Sequence, residues 1–147
     1  MKFNKNYKIF IVDDEPVYTE FISAVLNQAG FNEICSYENE TEVLDNLYRN
    51  PQVIFLDYYL KDSNGLNILR KIKSINPDIF VVFLSSQEKI EIAVSSLKYG
   101  AFDYIIKNDD AKRKILLSLN RIAIMEPKKK SLLTKITERV LFFNNLV

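Results

Sequence analysis

The stretch IFIVDDEPV, residues 9–17, sets four apolar residues against three consecutive acids. Ile9–Val12 has the length and β-branched character of a buried strand. Asp13, Asp14 and Glu15 then repel one another, and no basic residue stands within the four positions that follow. Negative charge gathered where a buried strand surfaces needs compensation, and the rest of the chain is read for what supplies it.

Similar apolar runs recur at Ile34–Tyr37, Val53–Leu56, Ile79–Leu84 and Tyr104–Ile106. Between them lie segments with helical spacing, marked by Phe21/Val25, Val43/Leu47, Leu69/Ile72, Ala93/Leu97 and Ile115/Leu119/Ile122. Pro16 suits a first helical turn, and Gly30 and Gly100 stand where the first and fourth helices need C-terminal caps. Five βα alternations predict a doubly wound α/β fold, with a parallel sheet, right-handed crossovers and helices on both faces.

In such sheets ligands bind beyond the carboxyl ends of the strands, where the strand order reverses. The polar residues fall there. Asp13 and Asp14 follow the first strand, Asp57 the third, Ser85 the fourth and Lys107 the fifth. With strand order 2-1-3-4-5 and neighbours about 4.8 Å apart, the aspartates and Ser85 share one pocket, and Lys107 is long enough to reach back. Taken singly, each has a plainer reading: Asp13, Asp14 and Ser85 as helix caps, Asp57 as a turn residue, Lys107 as a solvated lysine. An acid pair, an acid, a hydroxyl and a lysine ending four separate strands is a joint pattern that these readings do not produce.

A hard divalent cation answers the repulsion. Mg²⁺ takes carboxylate oxygens and keeps places for water and phosphate oxygens. The chain has no histidine, and its single cysteine, Cys35, sits in the apolar stretch EICSY as a buried free thiol. A soft-metal site is therefore not expected, and His-based catalysis is excluded. A carboxylate beside Mg²⁺ and an ammonium can attack phosphorus and become an acyl phosphate.

Composition excludes other classes. Three glycines are too few for either G-x-G-x-x-G or a P-loop. A formal net charge of +1 sets up no field toward nucleic acid or an anionic membrane. The lone cysteine, the lack of a signal-peptide pattern and the lack of a spanning apolar run together point to the cytoplasm. At 147 residues, 48% hydrophobic and 27% charged, the chain suits one domain with an appendage.

These residues resemble the receiver domain of two-component response regulators, the flavodoxin-like (βα)5 phosphoacceptor module typified by the chemotaxis regulator. The resemblance runs from Tyr7 to Ile124 and rests on IVDDE, FLDYYLKDSNGLNILRKIK, VVFLSS and KYGAFDYIIK, with Gly65 where the family carries a glycine. It implies that Asp57 is phosphorylated by a sensor histidine kinase or a phosphotransfer protein. It implies that Asp14 binds Mg²⁺ directly, Asp13 largely through water, and Asp57 and the Tyr59 carbonyl complete the set. Lys107 would hold the phosphoryl group, Ser85 would turn toward it, and Tyr104 would swing inward. The face of the fourth helix, fifth strand and fifth helix would then be read by a downstream output protein or domain. Such a protein is a switch that catalyses its own phosphorylation and dephosphorylation.

The chain departs from the pattern at four places, one of them Ser86, where the family frequently has alanine or glycine. Asn108 follows Lys107 where the family usually has proline, so a trans link is expected. Lys61 replaces a common proline after Asp57. Tyr59 is bulky beside the phosphate position, which predicts a long phosphorylated lifetime. The competing reading is a receiver fold that serves as a phosphorylation-independent docking module. An aspartate-nucleophile phosphatase would want an acid at Tyr59, and a flavodoxin would want a glycine-rich loop at DDEPV. Too few residues follow Ile124 for a helix-turn-helix domain, and direct nucleic-acid binding is not expected.

Domain organisation is read as residues 1–125 for the receiver and 126–147 for a linker and amphipathic helical tail. Pro127 and Lys128–Lys130 predict a break, followed by a helix from Ser131 to Phe143. Leu133, Ile136, Val140 and Phe143 step by three, four and three, the narrow seam of a coiled coil. Counted back in sevens, the seam passes Glu126 and Lys129 to Leu119 and Ile122. A packed tail is the plainer expectation, and a dimer through the C-terminal helices the alternative.

Overall fold

The computed structural model describes residues 6–144. Five parallel strands, β1 (Lys8–Val12), β2 (Glu33–Tyr37), β3 (Val53–Asp57), β4 (Phe80–Ser85) and β5 (Asp103–Ile106), form one sheet in the order β2-β1-β3-β4-β5. Helices α1 (Pro16–Gln28), α2 (Glu40–Asp45), α3 (Gly65–Ile75), α4 (Ile90–Lys98) and α5 (Ala111–Asn144) connect and cover them. This is the flavodoxin-like (βα)5 topology, with β1 and β3 flanking the point where the order reverses.

Although the central strands are apolar throughout, the pleat still sorts their side chains. Ile9, Ile11, Val53, Phe55, Val82, Leu84 and Ile105 pack with Ile22, Val25 and Leu26 of α1 and Ile115, Leu119 and Ile122 of α5. Phe10, Val12, Ile54, Leu56, Val81 and Phe83 pack with Ile68, Leu69 and Ile72 of α3 on the other face. Asp13, Asp57 and Lys107 extend the first alternation, and Ser85 and Tyr104 belong to the second. The site chemistry is thereby divided between the two faces before any side chain is placed.

Both predicted caps are Schellman motifs. Gly30 and Gly100 adopt φ of 96° and 101°, and the amides of Gly30 and Phe31 bond to the carbonyls of Asn27 and Leu26. Gly100 and Ala101 repeat the pattern on Leu97 and Ser96. The residue after each glycine is buried, so each cap also aims the chain into its next strand.

Four readings change. Cys35 is only half-buried, because β2 is an edge strand and one flank of it is open. The second helix ends at Asp45, and Leu47 lies in a separate 3₁₀ turn (Leu47–Arg49). On α4, Ser96 is the buried residue, while Ile90, Val94 and Leu97 are exposed. The expected break at Pro127 is absent: α5 is one helix from Ala111 to Asn144. An interior proline removes one hydrogen bond, a cost of about 3 kcal/mol, and the flanking residues, rich in Lys, Leu and Glu, favour the helix enough to carry it through.

The heptad seam also takes on a different meaning. Leu119 and Ile122 are fully buried in the domain core. At Glu126 the carboxylate accepts a hydrogen bond from the Tyr7 hydroxyl, which ties the start of β1 to α5. Burial, reinforced by that carboxylate, raises the Tyr7 pKa, so the phenol remains a donor. One stripe thus packs on the sheet as far as Glu126, beyond which Ile136 and Val140 are 58% and 53% exposed. The side chains of Lys128–Lys130, Ser131, Leu133 and Phe143 lie outside the described residues.

Gly65 opens α3 against the end of β3. Its amide donates to the Tyr58 carbonyl at 2.7 Å. A Cβ there would stand 2.5 Å from the Asp57 carbonyl oxygen and 2.6 Å from a ring carbon of Phe83. Backbone on one side and a core ring on the other leave no cheap relaxation. We predict that Gly65→Ala lowers stability by roughly 1–3 kcal/mol, read as a fall in the thermal midpoint, whereas Asn67→Ala, on the exposed face of α3, leaves the midpoint nearly unmoved.

Candidate phosphoacceptor and metal site

Strand register sets the site. Val12 pairs with Leu56, and Asp57 with Leu84, while Ser85 pairs with Ile106. Asp13, Asp57, Ser85 and Lys107 therefore end their strands at nearly one level. Asp13 and Asp57 are buried, Asp14 is half-buried and Ser85 is fully buried. The three carboxylates each bring an oxygen within 4.8 Å of the others.

Lys107 reaches across the sheet as its length suggests. Its Nζ lies 2.8 Å from Asp13 Oδ2 and 3.3 Å from Asp57 Oδ1, with the lysine side chain only 3% exposed. The Lys107 amide donates to the Ser85 carbonyl at 2.8 Å, which fixes the root of the side chain to the end of β4. No peptide bond among the described residues is cis, so the link to Asn108 is trans as expected. The Asn108 side chain accepts from the Asp110 amide at 3.1 Å, and its carbonyl accepts from the Ala111 amide. This Asx turn leads the chain from Lys107 into α5.

The other departure has a similar logic. The Lys61 amide donates to Asp14 Oδ2 at 3.0 Å, a bond that a proline at 61 could not make. Asp13 Oδ1 accepts from the Glu15 amide at 2.9 Å, and Glu15 itself occupies the N-cap of α1 with Pro16 behind it. Asp13 therefore does not cap α1, and only one of its oxygens is used in this local bond. Ser85 Oγ accepts from the Gln87 amide at 3.2 Å and does not cap α4, whose N-cap is Lys89.

Electrostatics follow from the burial. Desolvation pushes the Asp57 carboxyl up to about 6, with Lys107 pulling against it and Asp13 adding to it. For Lys107, burial works against the charge, but the bonds and attraction to Asp13 and Asp57 outweigh it and raise its pKa. In formal charge, three carboxylates face one ammonium, leaving two negative charges uncompensated. All the ligating atoms are hard oxygens, and neither the half-buried Cys35 nor any histidine belongs to the cluster. The donor set fits a hard divalent cation.

Tyr104 is half-buried and its hydroxyl donates to the Gln87 carbonyl at 2.8 Å. Burial raises its pKa. Tyr59 is 46% exposed, stacks edge-on against Tyr58 at 4.8 Å and bridges to Asn64. Two groups at the site escaped the sequence reading. The Lys61 amide is one, since backbone donors leave no trace in residue type. The other is Tyr18, whose ring centroid lies 3.8 Å from Lys107 Nζ. Its position four residues after Asp14 in an amphipathic helix reads as packing.

Comparison with known proteins agrees with this geometry. The sequence profile described as the response regulator receiver domain matches residues 9–118. The nitrogen assimilation regulatory protein NtrX of Azorhizobium caulinodans is 33% identical over 114 residues, covering 76% of this chain and 25% of that protein. The crystal structure of NtrX from Brucella abortus superposes with a TM-score of 0.76 at 30% identity, covering 85% of this chain and 29% of the other. A response regulator receiver domain protein from Clostridium thermocellum superposes with a TM-score of 0.74 at 28% identity, covering 86% and 98%. The chain spans about a quarter of the NtrX proteins' length. With its sheet order, its buried acid cluster and a profile match over most of its length, the chain belongs to the receiver-domain family of two-component response regulators.

Proposed function

We propose that Asp57 is the phosphoacceptor, and that residues 1–125 form a cytoplasmic phosphorylation-driven switch. The observation that carries this reading is a buried carboxylate at a strand end, paired with a buried ammonium and flanked by two further carboxylates. A phosphorylated histidine on a sensor kinase or phosphotransfer protein is the natural donor, since the chain has no histidine. An Asp57 oxygen forms the new bond to phosphorus, the bond to the imidazole nitrogen breaks, and that nitrogen keeps the electron pair. Lys107, freed from Asp57, pairs with an oxygen of the transferred group. Asp13, Asp14, Asp57 and the Tyr59 carbonyl would hold Mg²⁺, which neutralises charge on the phosphoryl oxygens when bound. Ser85 and Tyr104 lie on the opposite pleat from Lys107 and would follow the new group inward, releasing the Tyr104–Gln87 bond. The exposed Ile90, Val94 and Leu97 of α4 support the α4–β5–α5 face as the surface an output protein or domain reads.

Residues 126–147 are then a linker, helical as far as Asn144, and its open stripe at Ile136 and Val140 favours pairing with a second copy of the chain. Among the described residues no helix is long and apolar enough to cross a membrane.

Three outcomes test these readings. Incubated with Mg²⁺ and acetyl phosphate, the protein gains one phosphoryl group by intact-mass spectrometry, whereas Asp57→Asn gains none. Absence of uptake alongside measurable Mg²⁺ binding would favour the docking module instead. Second, Tyr59→Asn sheds its phosphoryl group several-fold faster than the parent, because the bulky ring no longer hinders water; equal decay would refute the shielding role. Third, sedimentation equilibrium finds a dimer for the parent and a monomer for the double variant Ile136→Asp, Val140→Asp. Circular dichroism checks that both remain folded.

A further inference from the structure

We infer that Tyr18 is a positioning residue for Lys107, an inference that rests on the assignment of Asp57 as phosphoacceptor. Lys107 departs from β5 and must cross β4 to reach Asp13 and Asp57. A lysine chain carries up to roughly 2 kcal/mol of rotamer entropy, so something has to hold it extended. In the resting protein two carboxylates do so, at 2.8 Å and 3.3 Å. Both are the wrong groups to rely on during transfer. Asp57 loses its charge when its oxygen bonds to phosphorus, and Asp13 is needed to balance a cation.

The face of Tyr18, 3.8 Å from Nζ, is the contact that survives both changes. An aromatic face attracts an ammonium through its quadrupole, yet it neither ligates a hard metal nor accepts a phosphoryl group. It holds the cation near the reacting carboxylate without competing for what arrives there. Tyr18 is also fixed to the same frame as the acids. Its amide donates to the Glu15 carbonyl, Glu15 is bonded to Asp13, and Pro16 starts the helix between them. The alternative for an unrestrained lysine is near at hand. A cavity of about 300 Å³, lined by Val17, Phe21, Leu84 and Asn108, opens beside it. Without the ring, the ammonium can swing toward that opening and its water.

Only the ring is used, so Phe and Leu at position 18 separate the roles. Two quantities are read on the full chain. One is the initial rate of phosphoryl uptake from acetyl phosphate at saturating Mg²⁺. The other is the NMR position of the Lys107 ε-methylene protons in the unphosphorylated protein, which a ring face shifts upfield. Tyr18→Phe keeps both the rate and the shift. Tyr18→Leu loses the shift and slows uptake roughly 2- to 30-fold, with unchanged circular dichroism. Uptake at the parent rate in Tyr18→Leu, or Lys107 protons at their ordinary position in the parent, overturns the inference. A shifted Lys107 signal in a parent protein that takes up no phosphoryl group defeats the phosphoacceptor assignment first and the positioning role with it, so the two failures are distinct.

Discussion

The structure is organised around the repulsion among Asp13, Asp14 and Asp57, which the fold places together and which, among the described residues, the Lys107 ammonium offsets in part. Two of these carboxylates are nearly buried, so water cannot screen them. Lys107, drawn across the sheet, answers part of the repulsion and leaves the rest. That remaining negative charge is what gives the donor set its pull on a cation. Without the lysine the buried acids would lose their nearest cation, which raises the cost of keeping them ionised. The incomplete balance leaves a set of hard oxygen donors that fits a divalent cation.

Local structure serves this balance in ways that residue type alone conceals. Asn108 and Lys61 look like losses relative to the family pattern. In the fold Asn108 builds an Asx turn that delivers α5, and Lys61 lends Asp14 an amide that proline lacks. Gly65 allows the end of β3 to pass within van der Waals limits of α3, so that Asp57 can sit at the sheet edge and still be covered. Each small residue choice acts on where a charged atom ends up.

Much of this was legible in the sequence because the information lay in order along the chain. Apolar runs ending in Asp13, Asp57, Ser85 and Lys107 specify both the strands and what projects from them, and parallel topology converts that list into a cluster. Gly30 and Gly100 announce their caps because positive φ is a property that few residues tolerate. What stayed hidden is what depends on contact across elements. Leu97 has the spacing of a core residue yet faces outward, because Ser96 takes the inner position on α4. Tyr18 resembles packing until Lys107 is seen above it. Pro127 signals a stop, but a single lost hydrogen bond is outweighed by a run of helix formers.

That uninterrupted α5 gives the molecule a lever arm. From Glu126, where Tyr7 clasps it, to Asn144 the helix extends by about 27 Å at 1.5 Å per residue. A tilt of about 5° at the clasp carries the tip through roughly 2 Å, about half the spacing between neighbouring strands. Small rearrangements where the helix meets β5 are thereby magnified at a distance from the acid cluster.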